Sequence, residues 1–227
     1  MRELPEVALA AAAIELIQDG MTVGLGSGRA AEAFVKALAK RVQQGLGIRG
    51  VPTSIGTANL ANQLGISLVS LDEVEAIDIA VDGADEVDPQ LNLIKGLGGA
   101  LVREKIVATA ARRLVILVGR EKIVPALGTH GVLPVEVVPF AMSSCRRRLT
   151  QLGYPPSPRQ VNGRLFVTDN GNHILDCRIP VLPDPAKAEK DLRAIPGMVG
   201  TGLFLGMADS VFVADDGQVQ IRQRHSD

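Results

Sequence analysis

Between Met21 and Val118, short β-branched runs alternate with helical patterns, and this alternation narrows the possible folds more than any single motif. "MTVGL", "IRGV", "SLVSL", "IDIAV" and "LVILV" read as strands, with "AAEAFVKALAKRV", "GTANLANQL" and "ALVREKIVATAARR" as helices among them. Parallel strands need long crossovers, usually helical, so the pattern predicts a parallel sheet covered by helices on both faces. Ligands of such sheets bind beyond the carboxyl ends of the strands. An N-terminal helix ended by Gly20 precedes the first strand. Its apolar stretch "VALAAAAIELI", near Arg2, faintly imitates a signal peptide. Glu3 and Glu6 precede that stretch and Glu15 interrupts it, which favours the helix.

After "GTHGVLPVEVVPF" the rhythm changes. A helix over about 141–152 leads to the proline-rich "GYPPSPRQ", and two strands around "FVTDNGNHILDCRI" are joined by the "TDNGN" turn as a hairpin. A further helix follows "PDP". The expected organisation is a main domain of residues 1–128 plus 201–227 and a small α+β insert over 129–200. "TGLFLG" and "SVFVADDGQVQI" are expected to return to the main sheet as strands.

With 227 residues, 46% of them hydrophobic, the chain can bury a full core. A formal net charge of -1 provides no basic field for a phosphate backbone, and one Tyr and five Phe leave little for stacking bases, so nucleic acid is not an expected partner. No segment is long enough to span a membrane. Cys145 and Cys177 stand far apart without metal-like spacing, which reads as reduced thiols in a cytoplasm. His130 and His173 lack partners at metal-ligand spacing and His225 is in the tail, so no metal site is expected. Nor is a nucleophile and base pair of the serine or cysteine type legible.

"VGLGSGRAAEAF" runs strand, glycine turn, helix, an arrangement that aims backbone amides at an anion but also serves as an ordinary tight turn. Gly24, Gly26 and Gly28 do not complete a dinucleotide fingerprint, because Ala31 stands where the last glycine belongs. "IDIAVDGADEVD" carries a buried strand to its carboxyl end and sets out Asp82, Asp85, Glu86 and Asp88, as either a solvated acidic turn or carboxylates facing a ligand. Lys95 before "GLGG" and Glu104 in the next helix add a cation and a further carboxylate. Each alone is an ordinary surface residue; together they suit the movement of a proton next to a carbonyl, which needs a base, an acid and an electrophile. Lys122, past the strand over 114–118, is either a second phosphate contact or an exposed loop residue.

In this order and spacing, "VPTSIGTANLANQLGI", "VDGADEVD", "LIKGLGGALVREKI" and "LPVEVVPFA" resemble the ribose-5-phosphate isomerase family of type A, over nearly the whole chain. The resemblance implies a Rossmann-like parallel-sheet domain with a small ferredoxin-like α+β lid. It implies a cytoplasmic homodimer or homotetramer that needs no metal or organic cofactor. It further implies the interconversion of ribose 5-phosphate and ribulose 5-phosphate, a reaction of the non-oxidative pentose phosphate pathway. By the same resemblance Glu104 is the general base and acid, moving a proton between C2 and C1 through an enediol. Asp82, Asp85 and Lys95 complete the catalytic set, with Asp82 preferred for ring opening. The same resemblance points to Ser27, Gly28, Arg29, Ala30, Gly83, Ala84, Gly96, Leu97, Gly98 and Lys122 as the positions expected at the substrate.

The chain departs from the family at the glycine turn, where TGST is common and this sequence has Ser27, Gly28, Arg29 and Ala30. Its N-terminal helix also lacks a lysine often found there, with Glu6 near that position. Arg29 either replaces these contacts to phosphate or points to solvent. The altered turn keeps two rival readings open: a sugar-phosphate sensor without turnover, and an isomerase of another phosphosugar.

Overall fold

The structure is a computed structural model that describes residues 5–224, so Arg2, Glu3 and His225 lie outside the described residues. In chain order the first elements are α1 (Pro5–Ile14), β1 (Thr22–Leu25), α2 (Arg29–Gln43), β2 (Arg49–Pro52), α3 (Ile55–Gln63) and β3 (Ile79–Gly83). Then come β4 (Glu86–Val87), β5 (Leu93–Ile94), α4 (Leu101–Ala110), β6 (Leu114–Gly119), β7 (Val132–Val137), α5 (Met142–Gln151) and β8 (Pro156–Pro158). The remainder are β9 (Gln160–Val161), β10 (Arg164–Leu165), β11 (His173–Arg178), α6 (Pro185–Arg193), β12 (Met198–Thr201), β13 (Leu203–Phe204), β14 (Ser210–Asp215) and β15 (Gln218–Gln223).

The chain divides into two compact units, one of Met1–Ala84, Arg103–Lys122 and Met207–Asp227, the other of Asp85–Val102 and Ile123–Gly206. The first holds a six-stranded sheet in the order β15-β14-β6-β3-β1-β2. Its strands are parallel except β15, which closes one edge as the second arm of a hairpin with β14. All four residues of β1 and five of the six in β6 are buried, as strands covered on both faces require. Leu9, Ala10, Ala13 and Ile14 lie on one face of α1 and pack with Phe34, Val35 and Leu38 of α2 over Val23, Leu25, Ile79 and Val81. At the strands' amino ends, Asp78 accepts from the Thr22 N–H at 2.8 Å and Asp209 from the Leu114 N–H at 2.6 Å.

The order of this sheet has a consequence for ligands. From β1 the chain moves through α2 to β2 on one side; from β3 it moves to β6 on the other. The connections therefore diverge between the adjacent strands β1 and β3, and their carboxyl ends form a topological switch point, the usual ligand crevice of open parallel sheets.

The second unit contains a four-stranded antiparallel sheet in the order β12-β7-β11-β8. With α5 after β7 and α6 after β11, the succession is βαββαβ, the ferredoxin-like arrangement. Cys145 and Leu149 of α5, with Ala188 and Leu192 of α6, pack on Leu133, Val135, Leu175 and Cys177 of the sheet. Asp184 starts α6 by accepting from the Lys187 N–H at 2.9 Å, with Pro185 as the first helical residue.

The expected fold class is the observed one, and four local expectations need correction. The N-terminal helix does not run to Gly20: it ends at Ile14, and turns at 15–16 and 19–20 follow. "SLVSL" is not a strand: it contributes only an isolated bridge between Leu68 and Gly50, since Ser67 and Ser70 leave too short an apolar run to extend the sheet. "TGLFLG" does not return to the main sheet; Leu203 and Phe204 pair with Leu93 and Ile94 in a small sheet with β4. In "FVTDNGNHILDCRI" only the second arm is a strand, because the Thr168 N–H bonds the Asn172 carbonyl at the turn and one bridge, Val167 to His173, ends the pairing.

Both cysteines are buried as free thiols. Desolvation, helped by the neighbouring Asp176 charge, pushes the Cys177 thiol from 9.0 up to about 12, and burial also raises Cys145. In the native protein neither should react with a thiol-specific disulfide reagent at pH 8, and both should react at once in denaturant. The folded chain keeps the Cys177 proton where the unfolded chain releases it, so this group leaves stability unchanged below pH 9 and lowers it as pH rises from 9.0 to about 12. Replacing Cys177 with Ala should flatten that alkaline decline in a series of thermal melts.

Candidate active site

At the switch point of the first unit, Asp82 is the next-to-last residue of β3 and is only 4% exposed. A buried carboxylate needs donors, and here the backbone supplies them: the Ser27 N–H donates to Oδ1 at 3.1 Å and the Gly83 N–H at 2.7 Å. Gly26 makes room for this group. A Cβ on residue 26 would stand 2.4 Å from both Cγ and Oδ1 of Asp82 and 2.6 Å from its Cα. Glycine at this position is therefore a condition of the carboxylate's placement as well as of the turn.

Beyond Gly26 the chain enters α2 through Gly28, whose φ of 86° suits glycine. Among the described residues no side chain caps this helix, which leaves its first amides, including those of Arg29 and Ala30, available to an anion. The Ser27 hydroxyl is not exposed as a simple donor. It lies 2.8 Å from Thr53 Oγ1, 2.9 Å from Ser54 Oγ and 3.2 Å from Thr57 Oγ1. Thr53 and Thr57 donate in turn to the Leu25 and Gly26 carbonyls at 3.0 and 2.9 Å, so the cluster braces the turn against the start of α3. Arg29 is exposed, Ala30 packs partly on the core, and Lys122 is half-buried in the turn after β6. Glu104 completes the first unit's set: it lies in the first turn of α4 and is 6% exposed, a placement the helix dipole favours for a carboxylate.

In the second unit, Asp85 is half-buried and its Oδ2 accepts from the Leu97 N–H at 3.0 Å, tying the acidic segment to the glycine loop. Lys95 is buried, with its Nζ 5.5 Å from the centre of the Phe204 ring and its N–H donating to the Gly202 carbonyl at 2.9 Å. A buried ammonium over an aromatic face is stabilised by the ring's quadrupole where water is excluded. Leu97 and Gly98 are exposed at the tip of the loop.

Two of the four acidic residues read from "VDGADEVD" have structural roles. Glu86 is fully buried and accepts from the Gly128 and His130 N–H groups at 2.6 and 2.5 Å, while Asp88 binds the Gln90 and Asn92 N–H groups at 2.9 and 2.8 Å. Backbone donors that close turns occupy both. Sequence reasoning missed the bracing hydroxyls of Thr53, Ser54 and Thr57, although "SIGT" carries a legible cap: Ser54 accepts from the Thr57 N–H at 3.0 Å. It also missed Arg159, which donates to the Gly96 and Leu97 carbonyls at 2.9 Å and for which no local pattern signals a role.

A parallel sheet with a buried carboxylate and a glycine turn at its switch point, accompanied by a βαββαβ unit, defines a Rossmann-like α/β protein with a ferredoxin-like second domain. Residues 49–218 match the family model described as ribose 5-phosphate isomerase A (phosphoriboisomerase A). The ribose-5-phosphate isomerase A of Gloeobacter violaceus is 50% identical over 210 residues, 92% of this chain and 91% of that protein. That of Thermomicrobium roseum is 49% identical over 214 residues, 93% of this chain and 90% of that one. Among solved structures, ribose 5-phosphate isomerase A from Methanocaldococcus jannaschii superposes with a TM-score of 0.92 at 38% identity, covering 96% of this chain and 98% of that one. A D-ribose-5-phosphate isomerase in complex with phospho-erythronic acid superposes at 0.93 with 40% identity, over 97% and 98%. The chain belongs to the ribose 5-phosphate isomerase A family, as the four linked motifs suggest.

Replacing Gly26 with Ala tests the glycine's role directly. The added methyl must displace Asp82 or bend β3, so Gly26→Ala should melt at a lower temperature and lose at least ~10-fold in turnover, the scale of a misplaced catalytic group. A variant with full activity would show that the Asp82 position carries no catalytic weight.

Proposed function

We propose that the protein interconverts D-ribose 5-phosphate and D-ribulose 5-phosphate by proton transfer through an enediol intermediate. The observation that carries this reading is Glu104, a carboxylate only 6% exposed in the first turn of a helix, in a chain belonging to this isomerase family. A single carboxylate can take the proton from C2 and return it to C1, because the two carbons are adjacent and the enediol is planar between them. Asp82 takes the proton of the anomeric hydroxyl to open the ring. Lys95 and the Gly96–Gly98 backbone receive the negative charge that grows on the sugar oxygens, because donors already fixed in place stabilise it without rearranging. Asp85 and the Gly83–Ala84 backbone hold sugar hydroxyls.

The phosphate is assigned to the uncapped start of α2, with the amides of Gly28, Arg29 and Ala30, and to Lys122. The exposure of Arg29 leaves its side chain able to reach an anion in solvent. A 40% identical relative has been solved with phospho-erythronic acid, which bears a phosphate and, at its other end, a carboxylate that is flat and anionic like an enediolate. No metal or organic cofactor enters this scheme. A cytoplasmic homodimer or homotetramer is the proposed working form: Phe140 is fully exposed with Val138 beside it, and among the described residues no helix is long and apolar enough to cross a membrane.

Glu104→Gln should keep its melting temperature and its affinity for phospho-erythronic acid within about 3-fold while losing at least ~10²-fold in kcat, the scale of a positioned acid and base. Near-normal kcat would assign the proton transfer elsewhere. Asp82→Asn should lose more in the first turnover of cyclic ribose 5-phosphate than in that of ribulose 5-phosphate, which cannot close into a furanose. Equal losses would remove Asp82 from ring opening.

A further inference from the structure

Arg159 sits in the second unit between β8 and β9, far in sequence from every residue assigned above. Its backbone is fixed on both sides, its N–H donating to the Ile174 carbonyl and its carbonyl accepting from the Phe166 N–H, each at 2.9 Å. From there the guanidinium reaches two kinds of partner. Nε donates to Asp176 Oδ2 at 2.9 Å and Nη2 to Oδ1, a bidentate pair with β11. Nη1 donates to the carbonyls of Gly96 and Leu97, both at 2.9 Å. The side chain is 11% exposed, and the Phe166 ring lies 6.0 Å from Cζ. That ring also closes over the loop: a Cβ on Gly99, where φ is +90°, would stand 2.5 Å from Phe166 Cζ.

The two accepting carbonyls belong to successive peptides. Turning both toward one point brings two negative dipole ends together, which is unfavourable unless a cation stands there. In a planar trans peptide the N–H points opposite to the carbonyl, so each carbonyl that Arg159 holds turns an N–H away from it. One of these, the Leu97 N–H, donates to Asp85. The other belongs to Gly98, which is exposed and makes no hydrogen bond among the described residues.

We propose that Arg159, clamped by Asp176, is a positioning residue for the isomerisation: by holding the Gly96 and Leu97 carbonyls it presents the Gly98 N–H to the sugar oxygen on which charge develops. This rests on the reading above that the Gly96–Gly98 backbone contacts the sugar. Lysine cannot reproduce the arrangement, because a single ammonium lacks the planar fork that grips a carboxylate along one edge while donating from the other. Asp176 acts on the reaction only through Arg159.

The test compares the wild type with Arg159→Met, Arg159→Lys, Asp176→Asn and the Arg159→Met/Asp176→Asn double variant, each checked by thermal melting. Arg159→Met should lower kcat for ribose 5-phosphate at least ~10-fold and weaken phospho-erythronic acid by a similar factor, since a donor is misplaced rather than removed. Inhibition by inorganic phosphate, which needs only the phosphate contacts, should stay within about 2-fold. Arg159→Lys should recover little, Asp176→Asn should lose less than Arg159→Met, and the double variant should be no worse than Arg159→Met because both act through one contact. Equal weakening of phosphate and phospho-erythronic acid, or kcat within about 2-fold of wild type, would overturn the proposal. If Arg159→Met does not fold, Asp176→Asn decides by the same ratio of the two inhibitors. Absence of turnover in the wild type would refute the isomerase reading itself; turnover in the wild type with an unaffected Arg159→Met would refute only the positioning role.

Discussion

The carboxylate of Asp82 occupies the space that a side chain on residue 26 would need. For both to exist, β1 and β3 must be neighbours and the chain must turn sharply after Leu25, conditions that the strand order and the hydroxyl cluster around Ser27 meet. The Gly26 N–H bonds the Val81 carbonyl at 2.9 Å, so the turn is pinned to the strand that carries the carboxylate. The connections of this sheet diverge at the carboxyl ends of the interior strands β1 and β3, and this chain places an acid there together with uncapped amides.

The second unit solves a different problem. Its glycine loop is exposed at Leu97 and Gly98, and an exposed loop keeps one conformation only where other residues hold it. Three restraints act on it: Asp85 on the Leu97 N–H, Arg159 on two carbonyls, and the Phe166 ring against Gly99. Two of these come from residues more than sixty positions away, which the βαββαβ unit brings back to the loop.

Much of the main sheet was legible because its strands are buried on both faces and read as unbroken apolar runs. "SLVSL" misled for the same reason: it has strand composition but gains only one bridge, to Gly50, and composition cannot say which strand will find a partner. The return of Leu203 and Phe204 to β5 was hidden because short antiparallel pairs carry no period long enough to read. In the candidate site, Asp82, Lys95 and Glu104 were legible from charge set beside glycine at strand and helix ends, whereas Glu86 and Asp88 look identical in sequence and turn inward to backbone donors. Arg159 left no local signal, since its partners Gly96, Leu97 and Asp176 are brought to it only by the antiparallel sheet.

The central claim is that buried carboxylates move a proton through an enediol, and the fate of the C1 hydrogens tests it most directly. The wild-type protein would be incubated with ribose 5-phosphate in deuterium oxide and the sugars followed by NMR through repeated passages to equilibrium. A carboxylate shuttle exchanges part of its proton with solvent, so deuterium should enter C1 of ribulose 5-phosphate and C2 of recovered ribose 5-phosphate. Complete isomerisation with no deuterium at either carbon would mean that hydrogen passes directly between the two carbons, and would contradict the account.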